Sequence, residues 1–418
     1  MALTRRIFLR NGAFALVGTS VIPAFLTRTL HAQTAAARAR GKVLVVVFQR
    51  GAADGLNIVV PYREPNYYRL RPGIGIPQKQ VIVLDETFGL HPALKPLKPL
   101  WDQGHLALVH ASGSPDPTRS HFDAQDFMES GTPGDKATRT GWLNRALSAE
   151  DAAHDLHHTA FRAVALGAQL PLTLAGPVPA VAVSNVGKFR VGGANAAGDA
   201  LSGDFEAMYD ESSNAVLHGT GREAFEAVRA LQAADPSQYT PAPGAHYPNG
   251  RFGDSMRQIA QLLKANLGVE AAFADIGGWD THQNQGGAEG QLAGRLAEFG
   301  QGMAAFWNDL GDQAENVVLV SMSEFGRTVH QNGTGGTDHG HANVMFALGG
   351  AVKGGRAYGR WPGLDTDQLY QQRDLAITTD FRQVLGEAAY RTLSAENLEK
   401  VFPGANLQPS QFLNLLRA

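Results

Sequence analysis

Apolar residues along this chain fall into two recurring patterns. Short, mainly apolar runs occur at 42–48 (KVLVVVF, continuous and β-branched), 105–111 (HLALVHA), 161–167 (FRAVALG), 268–276 (GVEAAFADI) and 316–322 (NVVLVSM). Runs of that length without polar alternation predict strands buried on both faces. Between them, apolar spacing of three and four predicts amphipathic helices. Met256, Ile259, Leu263 and Leu267 share one face of 252–267, and the same period recurs in 288–310 and 381–394. Buried strands alternating with such helices predict an α/β fold, a mostly parallel central sheet covered by helices on both sides. Residues 61–104 read as a loop-rich excursion between the first two strands. Residues 176–250, heavily punctuated by proline and glycine, read as an insertion or cap within the domain.

The first forty residues break the pattern. LTRRIFLRNGAFALVGTSVIPAFL places paired arginines before a short apolar stretch interrupted by Gly, Ser and Pro. This predicts a twin-arginine export signal over 1–32, with cleavage after Ala32, and not a stable membrane span. Residues 33–40 then form a linker, and 41–418 a single domain, delivered by the twin-arginine machinery to the periplasm or the cell exterior. The chain carries 36 Lys and Arg against 39 Asp and Glu, so no basic stripe predicts a nucleic-acid partner. It has no cysteine, which excludes disulfides, thiolate metal sites and a cysteine nucleophile. Any metal must be held by carboxylate, imidazole, hydroxyl or backbone oxygen.

Polar clusters follow four of the predicted strands. Asp54 follows 42–48. TRSHFDAQD, with Arg119 and Ser120, follows 105–111. Asp280 and His282 follow 268–276. Ser323 and Glu324 follow 316–322, and lead into a loop carrying Asp338, His339 and His341. In an open parallel sheet the carboxyl ends of the strands share one edge, where ligands bind, so these clusters can share a site. Asp54, Asp280, Glu324 and Asp338 would then crowd up to four carboxylates together, which calls for protonation or a cation. Histidines mixed with carboxylates suit zinc or manganese better than calcium or magnesium. Each piece also has a plainer reading. Asp54 before glycine suits a turn, Asp280 and His282 suit a loop hydrogen-bond pair, and Glu324 suits a helix start or a partner for Arg327. Ser120 suits the N-cap of a helix. Its functional reading is a hydroxyl nucleophile, with Arg119 as a charged clamp on a phosphate or sulfate group.

At this point FQRGAADGLNIVVPY, SHFDAQDFMESG, GGWDTHQNQ, SEFGRTVHQNGTGGTDHGHANVMFALGG and TDFRQVLGEAAYRTL together resemble an exported bacterial family named "domain of unknown function 1501". The resemblance spans essentially the whole mature chain. It implies membership of the alkaline phosphatase and sulfatase superfamily, a three-layer α/β/α sandwich with a metal-bound nucleophile at the carboxyl edge of the sheet. Asp54 then matches a first-strand metal aspartate, Ser120 the nucleophile, and Asp280 with His282 an Asp…His metal pair at unusually close spacing. The remaining ligands align in two ways. Asp338-His339-Gly340 matches the superfamily Asp-His-Gly directly. Alternatively Glu324-Phe325-Gly326 takes that position, and His339 or His341 becomes the late metal histidine before the apolar run VMFALGG. The expected function is an exported metal-dependent hydrolase acting on a small-molecule or glycan ester of phosphate or sulfate. Catalysis would rest on Ser120 or water, Arg119, and Glu324, His339 or His341 as proton carrier. The alternative is a catalytically degenerate member that binds a glycan or a cell-surface partner.

Overall fold

The computed structural model describes residues 6–10, 13–17, 41–151, 159, 161–186 and 238–417. From Val43 onward nine strands belong to the main sheet: β1 (Val43–Gln49), β2 (Leu106–Gly113), β3 (Ala163–Leu166), β4 (Val181–Val183), β5 (Ala271–Ile276), β6 (Val317–Met322), β7 (Asn343–Gly349), β8 (Arg356–Tyr358) and β9 (Thr379–Asp380). Their order is β8-β2-β7-β6-β1-β5-β3-β4, with β9 also pairing with β2. Beyond β4, a hairpin of Arg6–Arg10 and Ala13–Val17 extends the edge. The rest of the predicted export signal and the linker lie outside the described residues, as does most of the predicted insertion. Within that insertion, however, Val181–Val183 is a core strand.

β1 lies in the middle of the sheet, and all seven of its residues are buried. Alternate side chains point to opposite faces. Val43, Val45 and Val47 pack with α3 (Arg251–Lys264) and α4 (Gln291–Leu310) through Phe252, Met256, Ile259, Leu296, Phe299 and Met303. Leu44, Val46 and Phe48 pack with α2 (Trp142–Asp151) and α5 (Phe381–Leu393) through Trp142, Leu147, Phe381, Val384 and Leu385. Two apolar clusters, one on each face, make the three-layer sandwich expected from the alternation. α5 starts where Asp380 and Gln383 form a reciprocal capping box, which fixes its entry from β9.

The strand directions position the site. β1 runs parallel to β5 and β6. β7 is antiparallel to both β6 and β2, so β2 shares the direction of β1, β5 and β6. The loops that leave those four strands therefore emerge at one edge. The antiparallel β7 starts at that edge, and so the segment 338–341 that precedes it arrives there too. The excursion 61–104 is less irregular than its sequence suggests. It contributes Ile82–Val83 and Gly89–Leu90 to a small three-stranded sheet with Val59–Val60, and helical turns such as Pro65–Leu70.

Candidate metal centre

Three histidines from three loops point their Nε2 atoms toward one another. His121 is the first residue of α1 (His121–Ser130), after β2; His282 follows β5; His339 precedes β7. His121 Nε2 lies 3.0 Å from His339 Nε2, and His282 Nε2 lies 3.0 Å from His339 Nε2. Asp280 Oδ1 sits among them, 3.0 Å from His282, 3.3 Å from His339 and 3.5 Å from His121.

What holds each ring decides its tautomer. His121 Nδ1 is 2.8 Å from Glu324 Oε1, His282 Nδ1 is 3.1 Å from Asp338 Oδ1, and His339 Nδ1 is 2.9 Å from the Arg119 carbonyl. A carbonyl or an ionised carboxylate can only accept, so each Nδ1 carries the proton and donates it. In the neutral imidazole each Nε2 then presents a lone pair. Lone pairs facing at 3.0 Å repel unless a proton or a cation lies between them. Anchoring of the far ring nitrogen by carboxylate or carbonyl is also the usual arrangement around metal-ligating histidine.

The carboxylates are themselves fixed. Glu324 is buried, and its carboxylate accepts from the Gly51 amide at 2.8 Å, Gln125 Nε2 at 3.0 Å and Ser323 Oγ at 3.1 Å. Burial pushes the Glu324 carboxyl up, but hydrogen bonds from His121, Gln125 and the Gly51 amide outweigh it and leave it below its ordinary value. Burial likewise raises Asp280, and Arg327, whose Nη2 lies 2.5 Å from Oδ1, more than reverses this with its bond and its charge. Arg327 is fully buried and also donates to the Ala52, Gly51, Trp279 and Thr337 carbonyls. The Asn332 and His282 bonds hold Asp338 low as well. The His121–Glu324 bond raises the pKa of His121, whereas burial lowers that of His339. Phe325 packs against both of these rings, at 5.0 Å from each centroid.

These donors suit a small divalent cation. Tetrahedral ligands on bonds of about 2.0 Å sit about 3.3 Å apart, and the separations among His121, His339 and Asp280 are 3.0, 3.3 and 3.5 Å. Their ligand atoms all lie within 4.8 Å of one another. An imidazole-rich set with one carboxylate matches zinc-type chemistry.

The residues singled out from sequence divide accordingly. Asp280, His282 and His339 converge. Glu324 and Asp338 grip ring nitrogens from behind. His341 is turned away, stacked on Tyr370 with centroids 4.1 Å apart, and burial lowers its pKa to about 4. Asp54 is a buried partner of Arg71 at 2.7 Å and also accepts from Gln285 at 2.6 Å. Ser120 is exposed and caps α1, its hydroxyl accepting from the Asp123 amide at 3.5 Å. Arg119 pairs with Asp374 at 2.6 Å. His121 was not among the expected ligands. It lies in the same stretch as Ser120, and treating the first helical residue after a strand as a ligand position would have found it. The histidine tract at 154–158 lies outside the described residues.

The profile of a family described as "Protein of unknown function (DUF1501)" matches residues 104–402, most of the chain. The chain belongs to the DUF1501 family. The matched span of this DUF1501 protein includes His121, Asp280, His282, Glu324 and His339, while Asp54 and Arg71 precede it. Comparison with curated proteins gives no match. Among solved structures, the DUF1501 chain is similar to the lipoteichoic acid synthase LtaP from Listeria monocytogenes, at 8% identity and TM-score 0.35, over 77% of this chain and 68% of that one. It is also similar to the PsFucS1 sulfatase from Pseudoalteromonas sp., at 14% identity and TM-score 0.32, over 78% and 66%. At such scores these two likenesses carry no weight for activity, and the function of the DUF1501 chain rests on its own residues.

Proposed function

We propose that this protein is an exported metal-dependent hydrolase of phosphate or sulfate esters. Its cation would be held by His121, Asp280 and His339, with His282 completing the set. The observation that carries the reading is the common anchoring of the three histidines. Glu324, Asp338 and the Arg119 carbonyl each accept a hydrogen bond from an Nδ1, and the three Nε2 atoms are left facing one another around Asp280. When bound, a divalent cation supplies Lewis acidity, neutralising charge on the transferring group and acidifying an oxygen nucleophile. Glu324 and Arg327 orient His121 and Asp280 from buried positions. Their own hydrogen-bonding groups are engaged, which leaves neither as a proton carrier. The exposed hydroxyl of Ser120, next in the chain to His121, is the protein's candidate nucleophile, with water as the other.

A second reading, binding of a glycan or cell-surface partner without turnover, is favoured by the Arg327–Asp280 pair, which already neutralises the carboxylate. Elemental analysis of the exported protein, with p-nitrophenyl phosphate and p-nitrophenyl sulfate assays, separates the two. Bound metal and turnover that both disappear in His339→Ala support the hydrolase. Bound metal without turnover supports the binding protein. Absence of metal from wild type removes the hydrolase reading.

A further inference from the structure

Deepening that reading, and resting on it, we infer that the site takes a single divalent cation, and that the Arg71 guanidinium, not a second ion, neutralises Asp54. The four acidic residues expected at this edge each have a separate partner. Glu324 and Asp338 serve ring nitrogens, and Asp280 has Arg327. Asp54 lies in a sealed compartment, with its side chain 1% exposed and that of Arg71 0% exposed. Arg71 Nη1 donates to Asp54 Oδ2 and to Asn57 Oδ1, both at 2.7 Å. Its Nε reaches the Val329 carbonyl at 2.9 Å and its Nη2 the Thr328 carbonyl at 2.7 Å. Gln285 Nε2 adds a bond to the same Asp54 oxygen.

The side chains bonded to Asp54 are an arginine and a glutamine, both donors; Asp280 also pairs with an arginine, but three imidazole nitrogens share its Oδ1. Among the described residues no pair of His, Asp or Glu joins Asp54 in a group of three within 4.8 Å. The other carboxylate oxygen, Oδ1, is buried without a hydrogen-bond partner. A lone acceptor of that kind suits a buried water, whereas a divalent ion takes about four or more donors.

The test is zinc stoichiometry of the full mature chain, by equilibrium dialysis against zinc followed by elemental analysis, with thermal unfolding read in parallel. One zinc per chain is expected in wild type and in Asp54→Asn, and none in His339→Ala. The Asp54→Asn and Arg71→Met single variants should melt lower than wild type. The Asp54→Asn/Arg71→Met double variant should lose less than the two singles added together, as for a buried ion pair whose charges are removed as a unit. Two zinc ions in wild type, falling to one in Asp54→Asn, would overturn the inference and leave the hydrolase reading intact. No zinc in wild type would overturn both. If Arg71→Met does not fold, the wild-type and Asp54→Asn stoichiometries still decide.

Discussion

Two arginine–carboxylate pairs sit at the same edge of the sheet and do opposite jobs. Arg71–Asp54 is buried away from solvent, its arginine spending its other donors on backbone carbonyls and Asn57 while Asp54 Oδ1 has no partner. Arg327–Asp280 has an equally buried arginine, but the carboxylate side chain is 47% exposed and faces three imidazoles. The histidines differ in the same way. His110, on β2 in the closed region, has both ring nitrogens engaged, Nε2 with the Val59 carbonyl at 3.0 Å and Nδ1 with the Ala111 amide at 2.9 Å. In the open cluster each Nδ1 is anchored, while the Nε2 atoms face one another and Asp280, with Arg327 Nη1 3.4 Å from that of His282. A polar group whose every hydrogen-bonding position is filled from within the protein can only stabilise. One with a position left over, facing others like it, can bind.

Four measurements sharpen or break this contrast. The largest effect is expected for Arg71→Met, which leaves Asp54 charged and buried. It should cost about 3–5 kcal/mol in denaturant unfolding while zinc binding persists in the folded fraction; a loss under about 1 kcal/mol would mean the compartment admits water.

The next is a pH effect from His110. Burial lowers its folded pKa to about 4 from 6.5. Between those values the unfolded chain binds a proton that the folded one refuses. The contribution is therefore intact above about pH 6.5 and is lost as pH falls toward 4, on the order of 3 kcal/mol in total. Unfolding curves of wild type at pH 7 and pH 4.5 should diverge more than those of His110→Leu.

Third, Glu324→Gln keeps the shape but weakens the acceptor for His121 Nδ1, and should lower zinc affinity about 10–100-fold with little change in melting temperature of the metal-free protein. An unchanged affinity would remove His121 from the ligand set. The smallest effect is Ser120→Ala, which should cost about 1 kcal/mol as a lost helix cap. If Ser120 is also the nucleophile, ester turnover falls far more than stability; if turnover persists, water is the nucleophile.

Much of this was legible in the sequence because strand burial is local in origin. KVLVVVF and NVVLVSM have no alternation of polar and apolar positions, and each lies in the sheet within a residue of where its pattern places it. Val181–Val183 was not legible. Pro177 and Pro179 mark the approach as a loop, and pairing with β3 and with Arg6–Arg10 makes those three residues a strand. The shared strand edge brings Asp280, His282 and His339 together. Asp54 pairs instead with Arg71 from the 61–104 excursion, and side-chain pairing across a loop leaves no periodic trace. His121 was hidden by its neighbour: Ser120 fits an N-cap so well that the following residue draws little notice.

The antiparallel direction of β7 has a kinetic consequence. Because β6 and β7 are consecutive and adjacent, the chain from Ser323 to Ala342 is a single long hairpin connection that delivers Glu324, Arg327, Asp338 and His339. Closing so short a span loses less chain entropy than joining β2 or β5 to the sheet centre. Half of the centre can therefore assemble as one local unit, and His121 and Asp280 dock onto it when the distant strands arrive.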